Sequence, residues 1–503
     1  MEDTLKSTGT LFKNNCLNSR WTIVTWILFF VTITCILQLS IPYPQEDDTA
    51  YHFAVGQLIN KYGILHSFPW TPFSWQYDHY ADKEFIFHLL FTLLGGLGFI
   101  TTERMVGIIA GTAILISLYF VLRSEHVKLA GIWALLPLAS SAFLFRFALV
   151  RPHLLSISLS ILLLWALSRN KLLFSAIVAA IYPLSYVAFW QIPLILVIAV
   201  ESARFLSGES IRWRPAFTVL AGIIVGVAVH PNTLNLIQIN WIHMHDILFR
   251  NAWGDKEGID LALEFQPYSF EEWGRFLLIT VLMIAAAFVI AWKYRHKSSV
   301  PLAFTITTII FGLLTLMTYR FIEYFVPLSV LALALAVSMI TLEKEIVAPV
   351  ILIVAVAYAL VLGTAPYKIL SSLETKNAYI DPNTVRYFVQ QIPIGEQIFT
   401  TSWDYTGNLL LALPDRRFIV AADPTLFYKE NPSLYEIWYN MVVSGPADSA
   451  ATIRKLFKSR FVISRNYMQY VKFFDALRSD RGVKILFADE RWVLYDLGQS
   501  PFH

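Results

Sequence analysis

The sequence contains few charged residues. Asp, Glu, Lys and Arg make up 15% of its 503 residues, whereas 56% are hydrophobic. Soluble domains carry roughly 25% charged residues, so this composition excludes an ordinary soluble protein and predicts a polytopic α-helical membrane protein. The formal net charge of +3 is too small to favour nucleic acid as a partner.

Cysteines and phosphate-binding motifs are also scarce. The two cysteines, Cys16 and Cys35, lie in the N-terminal tail and in the first apolar run, so we expect no disulfide framework. The sequence has no Gly-rich phosphate loop, which leaves nucleotide binding without support. The apolar run at 21–41 is too long for a signal-peptide core and should remain as a span.

Long apolar runs dominate residues 1–365. A run of roughly 20 residues crosses the hydrocarbon core of a bilayer. We predict about 11–13 transmembrane helices from apolar runs at 21–41, 85–101, 104–122, 129–145, 149–168, 171–187, 188–206, 215–230, 276–292, 300–318, 321–341 and 347–365. The run at 85–101 contains several glycines, and we interpret it as a helix that enters the membrane partway or lies along its outer edge.

The loops between these runs carry a charge pattern. Clusters of Lys and Arg, such as 293–297, alternate with acidic segments at 42–84 and 231–275. The positive-inside rule places the basic loops in the cytoplasm and the acidic segments outside. The sequence therefore predicts an integral protein of the plasma membrane (the inner membrane in a bacterium) with its C-terminal part on the outer face.

The composition changes at about residue 366. Short β-like runs then alternate with helix-like segments, which predicts a soluble α/β domain over 366–503 after a membrane domain over 1–365. The predicted strands are 397–401, 417–421, 460–464, 483–487 and 492–496, and the predicted helices are 383–392, 433–443, 449–458 and 467–478.

Two acid and histidine clusters flank one short loop directly after the first span. Asp47 and Asp48 precede a predicted interfacial helix over 48–62, and His52 lies one turn after Asp48,. The second cluster includes Asp82, Lys83 and His88. Carboxylates beside a bilayer are costly to desolvate, so they favour a functional site over the alternative of a solvated loop with helix caps.

Cationic residues occur at the predicted outer ends of other spans. Arg151 and His153 begin one span, and Arg320 begins another with Glu323 one turn later. These side chains could snorkel towards water, or Arg320 could simply pair with Glu323. The alternative is a clamp for phosphate, for which arginine is well shaped.

Four stretches carry a resemblance to a known family: EDDTAYHF, DHYADKEFIFH, VRPHLL and FTTSWDYTG. In these and in its layout the chain resembles the GT-C superfamily of membrane glycosyltransferases, which includes oligosaccharyltransferase catalytic subunits, protein O-mannosyltransferases and aminoarabinose transferases. The oligosaccharyltransferase-like WWDYG signature is matched by residues 402–407, with Ser402 in place of the first Trp. The resemblance implies transfer of a sugar, a hexose or a pentose, from a polyprenyl-phosphate-linked donor to a lipid, glycan or protein acceptor on the external face.

Glycosyl transfer needs a carboxylate that activates the acceptor and groups that stabilise the leaving phosphate. Asp48 is the first candidate for the base, with Asp47 as its neighbour or substitute and Asp82 as the residue that orients the acceptor. The candidates for substrate binding are Lys83, Arg151 and Arg320 towards the donor phosphate, and His52, His88 and His153 as hydrogen-bonding or proton-carrying groups. Asp47, Asp48 and Asp82 could also hold a divalent cation, Mg²⁺ or Mn²⁺.

Two other functions remain open from the sequence. A transporter or flippase of an anionic lipid-linked solute would place charges at mid-bilayer, whereas a non-catalytic scaffold would bind lipid or a partner without chemistry. Polar site residues in a lipid-accessible groove would favour the transferase, and polar residues along a channel would favour transport.

Overall fold

The protein consists of a helical bundle followed by a small α/β domain. This architecture confirms the predicted fold class of a polytopic membrane protein with a C-terminal α/β domain. The domain boundary expected at residue 366 lies outside the described residues. The computed structural model describes residues 2–41, 47–249, 259, 265–340, 349, 351–356, 380–420 and 423–498.

The bundle contains sixteen of the described α-helices. In chain order they are α1 Glu2–Leu39, α2 Asp47–Tyr62, α3 Gln76–His79, α4 Phe85–Leu94, α5 Phe99–Ser124, α6 Ala130–Leu135, α7 Ser141–Ala148, α8 His153–Ser168, α9 Leu172–Ser185, α10 Gln191–Leu206, α11 Trp213–Val229, α12 Thr233–Ile242, α13 Phe270–Glu272, α14 Leu278–Tyr294, α15 Val300–Met317 and α16 Ile322–Ser338.

Several of these helices are suited to a bilayer. Within the described ranges, five are long and apolar enough to cross a membrane, or seven spans result if each of two bent pairs counts as one. Shorter apolar helices of 10–17 residues accompany them. The total of about 11–13 spans stays a prediction, and the run at 347–365 falls largely outside the described residues.

The segment Tyr319–Ser338 forms the centre of the bundle. In its most apolar window 89% of the residues are buried, against 17% for Arg20–Leu39. A helix that is apolar on all sides buries its whole surface only when other helices surround it. The first span therefore lies at the periphery, with most of its surface left for lipid.

Both sharp bends occur where a helix cannot continue. At the 91° bend the Ser140 side chain caps α7 by accepting the N–H of Phe143. At the 116° bend Pro231 lacks the N–H that a continuous helix needs. The second bend separates α11 from α12 and leaves His230 and Asn232 free to bond outside a helix.

The loop after the first span has the predicted organisation. Helix α2, Asp47–Tyr62, confirms the helix expected over 48–62. Helix α4 is only 10 residues long and continues as a 3₁₀ turn to Gly98, which has a φ of 81°. Ten residues rise about 15 Å, half of a hydrocarbon core of about 30 Å, so α4 has the length of the expected partial helix.

The C-terminal domain has a mixed five-stranded sheet in the order β2-β1-β3-β5-β4. Strand β1 pairs in parallel with β2 and β3, whereas β5 is antiparallel to β3 and β4. All five strands lie where the sequence predicted them: β1 Gln397–Thr400, β2 Arg417–Phe418, β3 Phe461–Arg465, β4 Lys484–Ala488 and β5 Trp492–Asp496. Its helices are α17 Pro382–Gln391, α18 Thr406–Ala412, α19 Pro424–Glu430, α20 Pro432–Ser444, α21 Ser449–Leu456 and α22 Val471–Ser479.

The two parts of the protein meet along α2 and α18. Gly407 allows this contact, because a Cβ at that position would overlap the carbonyl oxygen of Asp47 and lie 2.9 Å from the Tyr51 backbone nitrogen. Tyr51 and Val55 share one buried cluster with Tyr405. The start of α2 is thus enclosed between the bundle and the C-terminal domain.

Candidate functional site

Asp48 is the accessible acid of the α2 N-terminus. Its carboxylate lies 3.0 Å from the Arg151 guanidinium, and 32% of its side chain is exposed. Arg151 comes from the loop between α7 and α8, so the bundle brings this cation to α2. The structure therefore brings together two residues that the sequence named as candidates for the base and for phosphate binding, and these roles stay predictions.

Asp47, the preceding residue, is held by residues of the C-terminal domain. Its carboxylate accepts a 2.5 Å hydrogen bond from Arg465 and another from the amide of Asn408. Burial raises the pKa of Asp47 to about 8; Arg465 opposes this rise, whereas the charges of Asp404 and Asp48 add to it.

Arg465 is fixed by aromatic residues of the C-terminal domain. Its guanidinium lies 5.5 Å from the ring centroids of both Tyr405 and Trp492, and it donates a 2.9 Å hydrogen bond to the Tyr467 hydroxyl. Cation–π contacts of this kind hold a buried cation without neutralising it. Arg465 is therefore positioned to pair with Asp47 at the end of β3.

Asp82, His88 and His52 form a hydrogen-bonded chain. Asp82 Oδ1 lies 2.6 Å from His88 Nδ1, and His88 Nε2 lies 2.8 Å from His52 Nδ1. A carboxylate only accepts, so His88 donates to Asp82, and a neutral His88 then accepts from His52. Burial, followed by the nearby His88, lowers the pKa of His52. Asp82 thus orients a histidine, and its expected contact with the acceptor stays a prediction.

The loop that carries Asp82 is fixed by the bend between α11 and α12. His230 Nε2 lies 2.9 Å from the carbonyl oxygen of Asp82. The side-chain oxygen of Asn232 accepts the Asp82 N–H at 3.3 Å, and its NH₂ group donates to the carbonyl of Leu65 at 2.9 Å. The proline-induced break therefore positions the second acid cluster.

Glu84 completes a group with metal-ligand chemistry. One ligand atom from each of His52, Glu84 and His88 lies within 4.8 Å of the others. Within the part of the chain that the structure describes, this group converges, whereas Asp47, Asp48 and Asp82 form no such set. Burial raises the pKa of Glu84, and the positive charge of Lys83 opposes the rise most strongly.

Lys83 lies in the loop between α3 and α4, residues 80–84, which we call the acid loop. It connects this loop to the C-terminal domain. Its Nζ lies 3.7 Å from the Asp423 carboxylate, which also lies 2.7 Å from His243 Nε2. Burial alone would raise the pKa of Asp423, but the contacts with His243, Lys83 and Thr425 outweigh it and hold the pKa well below its usual range. Asp423 also caps α19, so it has both a structural and an electrostatic role.

Arg320 lies within electrostatic range of this cluster. Its charge opposes the raised pKa of Glu84, and its guanidinium lies 5.5 Å from the ring centroid of Phe265. Arg320 and Arg151 thus contribute positive charge from two separate helix ends of the bundle.

His153 contacts a buried ion pair. Its Nε2 lies 2.9 Å from the Arg146 carbonyl oxygen, and its Nδ1 lies 3.9 Å from Glu323. Arg146 Nε donates to Glu323 at 2.7 Å. Glu323 therefore pairs with Arg146 from another part of the bundle, and not with Arg320 as one sequence interpretation allowed.

Among the residues of this site that were not named as candidates from the sequence are Glu84, Asn408, Asp423, His243 and Arg465. Asn408 directly follows the segment that resembles WWDYG, so that motif could have drawn attention to it. Asp423 precedes Pro424 at the start of a helix, a position where aspartate commonly serves only as a cap. Arg465 follows the strand predicted over 460–464, and no local pattern marks it.

The similarity to known proteins is one of fold. No protein-family model and no curated protein matches the sequence. An oligosaccharyltransferase from Archaeoglobus fulgidus, solved in complex with Zn and sulfate, is similar with a TM-score of 0.59 and 14% identity, over 90% of this chain and 70% of that one. ArnT from Cupriavidus metallidurans, bound to undecaprenyl phosphate, matches with a TM-score of 0.57 and 12% identity, over 95% of this chain and 99% of that one.

A third similar structure is much longer than this chain. The arabinofuranosyltransferase AftD from Mycobacteria matches with a TM-score of 0.56 and 15% identity, over 95% of this chain but only 40% of that one. These similarities extend across the bundle and the C-terminal domain. The fold that the sequence resembles is thereby confirmed.

Proposed function

We propose that this integral membrane protein, which has the GT-C glycosyltransferase fold, is a glycosyltransferase. It transfers a sugar from a polyprenyl-phosphate-linked donor to an acceptor on the external face of the membrane. The observation that carries the proposal is the pairing of Asp48 with Arg151 at 3.0 Å. A base and a phosphate-binding cation are the two groups that glycosyl transfer from a phosphate donor requires.

Asp48 is the proposed base. Its partial exposure leaves room for an acceptor hydroxyl, and its pairing with Arg151 holds the side chain beside a phosphate-binding cation. When a donor phosphate binds Arg151, it competes with Asp48 for the guanidinium. Donor binding would then release the carboxylate for the acceptor.

Lys83 and Arg320 are proposed to add positive charge near the leaving phosphate. Lys83 is held by Asp423, and both cations act on Glu84. Cations that are already in place stabilise the negative charge that develops on the leaving group without reorganisation. The chain from Asp82 through His88 orients His52 beside them.

A lipid-linked donor is supported by an apolar groove near this cluster. The groove has a volume of about 860 Å³, and Trp75, Trp190 and Trp241 are among the residues that line it. Lys429 is the one charged residue in its described lining, and it lies on α19, the helix that Asp423 caps. An isoprenoid chain fits such a surface because it can be buried without unpaired polar groups.

The proposed metal ligands are His52, Glu84 and His88. Two imidazole nitrogens and a carboxylate oxygen suit Zn²⁺ better than Mg²⁺ or Mn²⁺, which prefer oxygen ligands. The hydrogen bond from His88 to Asp82 is the outer contact that usually orients a ligating histidine. A bound Zn²⁺ would supply Lewis-acid stabilisation of the leaving phosphate.

The test is a donor-consumption assay. Purified protein in nanodiscs is incubated with radiolabelled polyprenyl-phosphate pentoses and hexoses and an extract of envelope lipids and glycans. We expect label to move from one donor to an acceptor, and Asp48→Asn to abolish the transfer while the exposed control Asp475→Asn retains it. Movement of intact donor across the bilayer without loss of its sugar would instead support a flippase.

A further inference from the structure

A second cleft lies between the loop after α2 and the C-terminal domain. It has a volume of about 590 Å³. Residues 62–70 form one side, and residues 394–395 and 414–417 form the other. Nothing in the proposed transfer chemistry uses this cleft, although its position beside the acid loop connects it to the site.

The cleft is a fixed structure. The Trp70 indole N–H donates to the Pro414 carbonyl at 2.6 Å, and the Phe418 N–H donates to the Trp70 carbonyl at 2.7 Å. These two bonds join the loop to the start of β2. Gly395, with a φ of 79°, donates its N–H to the Asp415 carbonyl at 2.8 Å and fixes the opposite rim.

One wall of the cleft is aromatic. The ring centroids of Tyr62 and Trp70 are 5.8 Å apart, and 54% of Tyr62 is exposed. An exposed ring with a rigid backing offers a flat surface on which the C–H face of a sugar can stack. Trp70 is itself mostly buried and supports Tyr62 from behind.

The facing wall carries positive charge. Arg417 is exposed at the start of β2. Behind it Arg416 is 5% exposed, donates only to the carbonyls of Val389 and Ile392, and leaves its buried Nε without a hydrogen-bond partner among the described residues. Asp415, the one acid among the described residues that line the cleft, is paired with Lys61 at 3.2 Å.

Asn232 links the cleft to the acid loop. Asn232 Nδ2 lies 3.3 Å from His66 Nδ1, in the cleft lining, and Asn232 Oδ1 accepts the N–H of Asp82. A ligand in the cleft therefore lies close to the loop that carries Asp82 and Glu84.

We propose that this cleft binds an anionic saccharide, as the acceptor glycan or a part of it. The sugar ring stacks on Tyr62, and its carboxylate or phosphate group faces Arg417. The buried guanidinium of Arg416 adds positive charge to the same wall. The role of this saccharide as the acceptor rests on the proposed function. The binding of an acidic saccharide itself does not depend on turnover.

The binding test uses defined probes and the full chain in nanodiscs without donor. Isothermal titration calorimetry compares an oligogalacturonate hexamer, a neutral glucan hexamer and inorganic phosphate. We expect the acidic hexamer to bind at least about 10-fold more tightly than either other probe, because a charge-assisted contact and the stacked ring act together. Equal affinity for the neutral hexamer, or affinity for phosphate alone, would overturn the proposal.

Variants separate this site from the transfer site. Arg417→Gln and Tyr62→Ala should each weaken binding of the acidic hexamer by about 10-fold, whereas the exposed control Arg478→Gln should not. In the transfer assay both cleft variants should raise the KM for a glycan acceptor and leave donor hydrolysis by water unchanged. Unaltered hexamer binding in both variants would overturn the proposed site. If the wild-type protein binds the hexamer but turns over no donor, only the proposed transferase function is overturned.

Discussion

Two adjacent aspartates have different environments because different domains contact them. Asp48 is partly exposed and pairs with Arg151 of the bundle, whereas Asp47 is enclosed by Arg465 and Asn408 of the C-terminal domain. An accessible carboxylate is suited to proton transfer, and an enclosed one to holding two domains together.

Asp48→Asn tests the catalytic role. Asn preserves size but not basicity, so we expect turnover to fall by about 10²–10⁴-fold. The melting temperature should change little, because a partly exposed ion pair contributes about 0–1 kcal/mol. Donor turnover and thermal unfolding in nanodiscs measure the two effects, with Asp475→Asn as the matched surface control. Near-normal turnover would remove Asp48 from the reaction.

Asp47→Asn tests the buried acid through its pH dependence. Burial raises the pKa of Asp47 from 3.8 to about 8, so its contribution to stability is fully present below about pH 4 and is lost as the pH rises towards 8. The wild type should therefore lose thermal stability relative to Asp47→Asn between about pH 5 and pH 8. A difference in melting temperature that stays constant across this range would contradict the assignment.

Metal content tests the histidine and glutamate group. We expect about one Zn²⁺ per chain after dialysis against the metal, measured by elemental mass spectrometry. His88→Ala and Glu84→Gln should lose it, and Asp82→Asn should weaken it by about 10–100-fold, because Asp82 orients His88. Retention of zinc by both ligand variants would show that the metal binds elsewhere.

Sequence spacing predicted the local relations among these residues but not the distant ones. The one-turn separation of Asp48 and His52 follows from helical geometry, and it placed both at the start of α2. The contacts of Asp47 with Arg465 and of Lys83 with Asp423 depend on how two domains pack. No local pattern in a single sequence records that packing.

At the scale of elements, the contact between α2 and α18 determines the shape of the site. Gly407 is required there because a side chain would meet the Asp47 carbonyl oxygen, the Tyr51 backbone nitrogen and the Tyr51 Cβ, none of which moves with side-chain rotation. Backbone atoms cannot rotate away as a flexible side chain can.

Gly407→Ala should therefore separate the two helices. Overpacking costs typically about 1–3 kcal/mol, so we expect a lower melting temperature and reduced turnover together. Gly274→Ala is the control, since a Cβ there meets nothing within 4 Å. If Gly407→Ala behaves like this control, the close approach is not needed for the site.

The elements themselves were largely predictable. The C-terminal strands and most of its helices follow from short apolar runs separated by turn residues, and the bend at Pro231 follows from its missing N–H. The antiparallel placement of β5 between β3 and β4 was not predictable, because strand order depends on long-range pairing. The short helix α19 was missed since it has no clear apolar period.

At the scale of the whole molecule, the charge pattern of the loops predicts the orientation in the membrane. A reporter fused after residue 366 should be external, and one inserted in the loop at 293–298 should be cytoplasmic. Protease accessibility or a paired phosphatase and fluorescence reporter can measure both positions. Two reporters on the same side would contradict the predicted spans.

Asp47 and Arg465 are 418 positions apart in the chain, and this separation bears on biosynthesis. A nascent chain displays Asp47 and Asp48 long before Asn408 and Arg465, which enclose Asp47, have been translated. The enclosed environment of Asp47 therefore forms only after the C-terminal domain has been made.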